Sequence, residues 1–496
     1  MIINSNSKEH NILKQKAIYG MIWKLFEKFG VQLVQFVIQI FLARLLLPSQ
    51  YGIVGLLSIF IIVSDVFIQQ GFTVALIQKK EVDQVDYSSI YYLNIILATI
   101  IYGFLFILAP YIALFYGENS LTELMRVLSL NVLVGSFCAV QNAIVIRQME
   151  FQKSFIKNAV SVLVQGGVGI ILAYKGFGAW ALVISKVVAT FVGTIILRVT
   201  VRWKPNKFFS LNRINNLFSF SSRVLITNLL NTLFNNIHSL IIGRYYSSEA
   251  LGFYQRGQQM PQIAMNAIDG SFNEVLYPTL VSVQEDKVKI KNVLRRSMKT
   301  SMYVVTPMLV LGIVIAEPLT KVLLTEKWLP CVPYIRLQCI ICLFWPLSAR
   351  THAINAIGKS DITLKLSIIT KLLTLLFICL FVRVGIFAIM VGTIVALLIS
   401  FWVVSYFVNR YIGYSFKETL QDIAISFVLS FFMGGGVFCL TYLKVNDCII
   451  LLCQILFGGI IYIGGSVILK IESFQYILTI ILLFLSKLKN KSNSKY

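Results

Sequence analysis

The sequence predicts an all-α membrane protein of about fourteen transmembrane helices: two pseudo-symmetric six-helix lobes around a central cavity, plus a C-terminal helix pair. Three observations predict it. Apolar runs of membrane-spanning length recur from end to end. Basic residues collect in alternate loops. The first half of the chain is echoed in the second at a spacing of 200 residues.

The chain has 496 residues, 57% hydrophobic and 13% charged, with a mean hydropathy of +0.79. A soluble chain of this length carries a far more charged surface. A hydrocarbon core about 30 Å thick needs roughly 20 apolar residues per helix. The runs at 22–47, 52–77, 89–116, 122–145, 156–174, 177–200, 220–243, 252–280, 300–324, 333–356, 361–382, 385–409, 418–441 and 449–470 meet that length. The apolar run Phe474–Leu485 is shorter, and Lys487, Lys489, Lys491 and Lys495 follow it, which predicts an interfacial helix. The polar start, Asn4 to Lys16, predicts no cleavable signal peptide.

The net charge of +23 would suggest a nucleic-acid partner in a soluble protein. Here it follows the membrane topology. With both termini in the cytoplasm, the cytoplasmic loops hold 28 Lys and Arg and the outside loops hold 6, as orientation by basic loops requires. No basic patch is interleaved with aromatics, so nucleic acid is not an expected partner. Most of the eight cysteines sit in apolar runs as small hydrophobes. Cys339-Ile-Ile-Cys342 has no histidine or second pair beside it, so no metal is expected.

In the repeat, Ala43-Arg-Leu-Leu-Leu-Pro-Ser-Gln-Tyr-Gly52 aligns with Gly243-Arg-Tyr-Tyr-Ser-Ser-Glu-Ala-Leu-Gly252, bringing Arg44 onto Arg244 and Gly52 onto Gly252. Gln35 falls on Asn235 and Gln39 on Ser239; further on, Gly178-Ala-Trp-Ala-Leu182 matches Gly385-Ile-Phe-Ala-Ile389. Six helices per half give both halves the same orientation, a parallel repeat able to rock between inward-open and outward-open states. The predicted divisions are 1–200 (N-terminal lobe), 201–416 (C-terminal lobe), 417–470 (extra pair) and 471–496 (basic tail).

Polar residues inside the predicted spans mark the candidate site. Lys24, Lys28, Gln32, Gln35 and Gln39 share one helical face, bordered by Glu27. A central charge facing lipid costs roughly 2.5–3.5 kcal/mol, so such a face turns toward water, protein or a polar ligand. Snorkelling lysines and helix-bonding glutamines are the alternative. The equivalent row is Asn228, Asn231, Asn235 and His238, and the following span carries Arg256, Gln259, Gln262, Asn266, Asp269, Asn273 and Glu274, with Pro261 and Pro278. Asp65 lies in the second span; Lys186 and Lys371 each either face the cavity or pair locally. Cations suit phosphate and pyrophosphate, and amide rows suit hydroxyl-rich sugars. Expected substrate-binding residues are therefore Lys24, Lys28, Gln32, Gln35, Gln39, Asn228, Asn231, Asn235, Arg256, Gln259 and Asn266, with Glu27, Asp65 and Asp269 as ion-coupling candidates. No P-loop or nucleophile–base pair is present, so neither ATP-driven pumping nor enzymatic activity is expected.

Trp23-Lys-Leu-Phe-Glu-Lys-Phe-Gly30, Leu42-Ala-Arg-Leu-Leu-Leu-Pro-Ser-Gln-Tyr-Gly52, Gly178-Ala-Trp-Ala-Leu182 and Gly252-Phe-Tyr-Gln-Arg-Gly257 resemble the polysaccharide exporters and O-antigen flippases of the multidrug/oligosaccharidyl-lipid/polysaccharide superfamily, which includes colanic-acid and teichuronic-acid exporters. The resemblance implies a MATE-like two-lobed fold whose helices 1, 2, 7 and 8 line the cavity. It implies a cargo of oligosaccharide repeat units on undecaprenyl pyrophosphate, moved from inner to outer leaflet of the bacterial cytoplasmic membrane for surface polysaccharide such as O-antigen or capsule. It also implies membrane lipid, pathway glycosyltransferases and a polymerase as partners, and a monomer as the working unit. In related lipid II flippases, cations on helices 1, 2 and 8 contact the headgroup; Lys24 and Arg256 lie at plausible counterparts, whereas helix 2 offers Asp65 instead. No cofactor is expected beyond a proton or sodium gradient or the membrane potential. The rivals are a cation-coupled multidrug exporter of the same fold and a membrane glycan polymerase, which would need an extended outside loop with catalytic groups.

Overall fold

The structure, a computed structural model, describes residues 23, 30–79, 81–443, 445–479, 482 and 486, without the side chains of residues 216, 219, 220, 267, 269–271 and 273–275. Among these residues there is no strand. The helices are α1 (Gln32–Leu45), α2 (Pro48–Gln69), α3 (Phe72–Gln78), α4 (Gln84–Tyr116), α5 (Leu121–Leu128), α6 (Leu130–Ser136), α7 (Ala139–Arg147), α8 (Phe151–Tyr174) and α9 (Ala179–Val201). They continue as α10 (Leu211–Tyr245), α11 (Ser248–Ser282), α12 (Lys287–Leu324), α13 (Val332–Cys342), α14 (Ala349–Ala356), α15 (Ser360–Phe381), α16 (Ile386–Ile412), α17 (Phe416–Cys439) and α18 (Asp447–Ile468).

Among the described residues, ten helical rods are long and apolar enough to cross a membrane, or eleven if the rod 121–147, bent by 45°, counts as one. The predicted fourteen also counts α1, α10 and α11. Length and apolarity do not qualify these three, because α1 is short over its described part and the other two are too polar. Several predicted spans are also broken or extended. The span at 52–77 breaks at Gln70–Gly71, and that at 333–356 is assembled from a 3-10 turn Glu326–Cys331, α13, a second 3-10 turn Trp345–Ser348, and α14. Conversely, α12 begins at Lys287 rather than near residue 300. Asp286 caps it by accepting from the Val288 and Lys289 N–H groups. The basic residues of its first turns, read from sequence as a loop, are held in register by distant acids: Lys291 by Glu418 at 2.8 Å, and Arg295 by both oxygens of Asp422 at 2.7 and 2.8 Å. Residues 474–479 of the predicted interfacial segment are helical, within a helix that begins at 472.

The chain forms two compact units, the first ending at Gly252 and the second starting at Phe253. In the first, α8 and α9 pack side by side, α1 lies on α8, and α10 runs along α2, α3 and α4. In the second, α12 packs against α13, α17 and α18, and α15 pairs with α16. Its core includes Leu294, Met298, Ile354, Val408 and Tyr414.

The sequence repeat has a local structural meaning. Arg44 and Arg244 each occupy the last turn of their helix, where a cation complements the helix dipole. The next helices start at Pro48 and Ser248, again 200 residues apart. Gly178 and Gly385 both precede a helix with positive φ, 56° and 152°, conformations that favour glycine. Gly52 and Gly252 meet each other: a Cβ on Gly52 would lie 1.6 Å from the Ser248 carbonyl oxygen, and one on Gly252 2.0 Å from that of Pro48.

Candidate functional site

In the first unit, α1 turns Ile38, Leu42 and Leu46 toward Ala173 and Ala181, and Gly166 lets α8 approach so closely that a Cβ there would meet Ile38 at 2.4 Å. At 100° per residue, Gln32, Gln35 and Gln39 lie roughly 60–120° around the helix from Ile38. Gln35 is exposed; Gln32 and Gln39 are half-buried. Lys24, Glu27 and Lys28 lie outside the described residues. On α10, the packing contacts are Gly243 against Leu56, Leu225 near Gly71, and Phe218 near Phe72. Asn231 and Asn235 remain exposed, and Asn228 and His238 are half-buried. Both amide rows therefore stay at least partly accessible on helices whose apolar residues do the packing.

The first unit also brings together two charges that sequence reading left separate. Asp65 on α2 and Lys186 on α9 are both half-buried and interact electrostatically. One turn beyond Lys186, Thr190 Oγ1 donates to Asn131 Oδ1 of α6 at 2.6 Å. Lys186 thus has an opposite charge, Asp65, near it in the same unit.

In the second unit, Arg256 is only 5% exposed. Its Nη1 donates to Gln259 Oε1 at 2.9 Å, and its guanidinium carbon sits 5.4 Å from the Trp328 ring centroid. The motif around it is a packing motif: Phe253 meets Trp328 edge-on, Tyr254 meets Tyr334, and a Cβ on Gly257 would lie 2.6 Å from Tyr334 Cβ. Asn266 is exposed, and the Asp269 side chain is outside the description.

A charged cluster around the start of α4 was missed as a unit. A cavity of about 870 Å³ is lined by Lys79, Glu81, Val82, Asp83, Asp86, Arg147 and Arg213. Asp83 and Asp86 cap α4 reciprocally, each accepting the other's backbone N–H, at 2.8 and 3.2 Å. The buried Asp86 also pairs with Lys79 at 2.5 Å, and Asp83 with Arg213 at 3.0 Å. The Asp86 N–H, with Arg213 and Lys79 nearby, holds the Asp83 carboxyl below the usual carboxylate range. Arg147 Nη1 donates to the Leu76 and Ile77 carbonyls, closing the end of α3. The segment joining α9 to α10 is stitched to the same helix start: Trp203 Nε1 donates to Gln84 Oε1 at 2.8 Å, and the backbone N–H groups of Asn206 and Ser210 donate to Ser88 and Ser89. The Asp-x-x-Asp spacing of a capping box was the available signal. In sequence these cations entered only as topology markers.

The comparisons with known proteins agree with this architecture. The family described as "Polysaccharide biosynthesis protein" matches residues 41–333, more than half of the chain. The succinoglycan biosynthesis transport protein ExoT of Rhizobium meliloti is 24% identical over 341 residues, 68% of this chain and 69% of that protein. The teichuronic acid biosynthesis protein TuaB of Bacillus subtilis is 23% identical, covering 71% and 73%. The lipopolysaccharide biosynthesis protein WzxC of Escherichia coli is 23% identical, covering 84% and 86%. Among solved structures, the lipid II flippase MurJ in an inward closed conformation matches with a TM-score of 0.75 at 14% identity, over 91% of this chain and 99% of that one. An inward-facing MATE multidrug transporter matches at 0.58 and 14% identity, over 78% and 98%. At such identities the structures speak for the fold alone.

Proposed function

The chain belongs to the polysaccharide biosynthesis protein family, a multi-pass membrane protein with the MATE-like superfamily fold, and from that premise we propose that it is a flippase for lipid-linked oligosaccharides. In this reading it moves undecaprenyl-pyrophosphate-linked repeat units from the inner to the outer leaflet of the cytoplasmic membrane by alternating access between two repeat-related lobes. The observation that carries it is the pair of accessible amide rows, Gln32, Gln35 and Gln39 on α1 and Asn228, Asn231 and Asn235 on α10. Each amide offers both donors and acceptors, as sugar hydroxyls require.

The pyrophosphate pairs first with Lys24 and Lys28. Arg256 must leave Gln259 and Trp328 to touch it, so its part is secondary and comes with a rearrangement of α11. The polyprenyl tail stays in lipid. Coupling runs through a proton, sodium or the membrane potential. Asp65 is the best-placed coupling group, because neutralising it changes the charge seen by Lys186 across the α2–α9 packing.

The test is export of labelled lipid-linked repeat units in cells dependent on this chain. Gln35→Leu with Asn235→Leu should reduce export severalfold at unchanged protein level, and Lys24→Glu with Lys28→Glu should abolish it. Unchanged export in both doubles would remove this site. Dye efflux with no polysaccharide defect would favour the multidrug exporter instead.

A further inference from the structure

We propose that the groove between the last turns of α16 and the start of α17 is a binding site for an anionic phospholipid, separate from the path of the cargo. A cavity of about 390 Å³ there is lined by Trp402, Val403, Ser405, Tyr406, Asn409 and Phe416. Trp402 is 68% and Tyr406 62% exposed, so the walls are aromatic and open outward. Asn409 lies within one turn of the end of α16 at Ile412. Trp402 is seven residues earlier, about 10 Å further along the axis at 1.5 Å per residue, which is a third of a hydrocarbon core about 30 Å thick. The groove therefore runs from the helix end part of the way into one leaflet, polar at its surface end and apolar at depth. An acyl chain on Trp402 and Tyr406 leaves the headgroup at Asn409.

The charge around the groove selects the headgroup. Behind Ser405 lies Arg350, 2% exposed, whose Nη1 donates to Ser405 Oγ at 2.7 Å and whose Nε donates to the Leu347 carbonyl at 3.2 Å. Its guanidinium carbon sits 4.3 Å from the Phe401 ring centroid. Among the described residues no carboxylate pairs with it; the nearby acids Glu418 and Asp422 are taken by Lys291 and Arg295. A buried cation without a counter-charge is unfavourable in low dielectric, and a phosphate at the groove mouth supplies that charge. Two exposed cations, Arg410 and Lys417, directly follow the lining residues Asn409 and Phe416 in sequence at this end of the helices. None of the lining residues is acidic.

The test is native mass spectrometry of the delipidated full-length protein titrated with phosphatidylglycerol or phosphatidylcholine. An interfacial cation contributes roughly fivefold in affinity for anionic lipid, so Arg410 and Lys417 alone should give the wild type at least about a 25-fold preference for phosphatidylglycerol. Arg410→Gln with Lys417→Gln, both exposed, should lower that preference by about 25-fold, leaving only what Arg350 contributes. Arg383→Gln, an exposed cation at the opposite end of α15 and α16, should keep the preference. Equal retention of the two lipids by the wild type, an unchanged preference in the double variant, or displacement of bound phosphatidylglycerol by polyprenyl pyrophosphate would each overturn the proposal.

Discussion

The crossing of Gly52 and Gly252 offers a quantitative test of the packing. In Gly52→Ala the new methyl would lie 1.6 Å from the Ser248 carbonyl oxygen and 2.6 Å from its carbon. Ordinary contact needs about 3.4 Å or more, and both obstructing atoms are backbone of the first turn of α11, so no rotamer change relieves the clash. The helices must separate by nearly 2 Å, opening the packing of Leu56 on Gly243 next to it. Overpacking of this kind costs about 1–3 kcal/mol, and the backbone partner puts Gly52→Ala at the upper end. For a unit of this size, 1 kcal/mol moves Tm by about 2–4 °C, which predicts a fall of ~6–12 °C. Gly252→Ala should behave alike, and the double variant should fall by less than the sum, since both methyls wedge one contact. Gly103→Ala in α4, with nothing within 4 Å, should be neutral or slightly stabilising, because alanine is the better helix former. The assay is thermal unfolding of the purified protein in detergent, followed by tryptophan fluorescence. A Gly52→Ala melt indistinguishable from that of Gly103→Ala would refute the close approach.

Three further outcomes follow from the charged side chains. The Asp422 side chain is 4% exposed and receives Arg295, Lys299 and the Tyr414 hydroxyl; Asp422→Ala leaves the partly exposed Arg295 unpaired and the Tyr414 hydroxyl without its acceptor and should cost about 1.5–3 kcal/mol, read as a lowered melt and a loosened α12–α17 packing in hydrogen exchange. Asp65→Asn and Lys186→Met should each destabilise the first unit more than the two together, because the double variant removes both charges from the α2–α9 packing; equal or additive losses in a double-mutant cycle would show that the pair is not coupled. Asp83 has a depressed carboxyl pKa in the folded state, so its stabilising effect is present above the unfolded value near 4 and is lost as pH falls through the folded one. The stability difference between wild type and Asp83→Asn should therefore be constant from neutral pH down to about 5 and shrink below 4; a difference that grows on acidification would contradict the capping geometry.

Much of the fold was legible because the bilayer is a demanding solvent. It requires long apolar helices, and the runs that gave α4, α8, α9, α15, α16, α17 and α18 could have been little else. What was not legible has a common cause. The N-terminal turns of α12 looked like a basic loop because the acids that hold them, Glu418 and Asp422, are more than a hundred residues away in sequence. Arg256 read as an open cation because helical spacing gives its face but not the Trp328 ring that covers it. The cluster around Asp83, Asp86, Arg147 and Arg213 draws its members from three separate connections, each unremarkable alone.

By itself, the sequence determined that this chain lives in a membrane as helices, that its two halves share a pattern, and that amide rows lie on α1 and α10. Those are consequences of composition and of a 3.6-residue period, which act locally. Only the tertiary structure decided that Gly52 and Gly252 touch, that Lys186 answers Asp65, and that Arg350 lies buried behind a lipid-facing groove. Such facts depend on the rotation and crossing of helices distant in sequence, and those are fixed by close packing of many side chains at once.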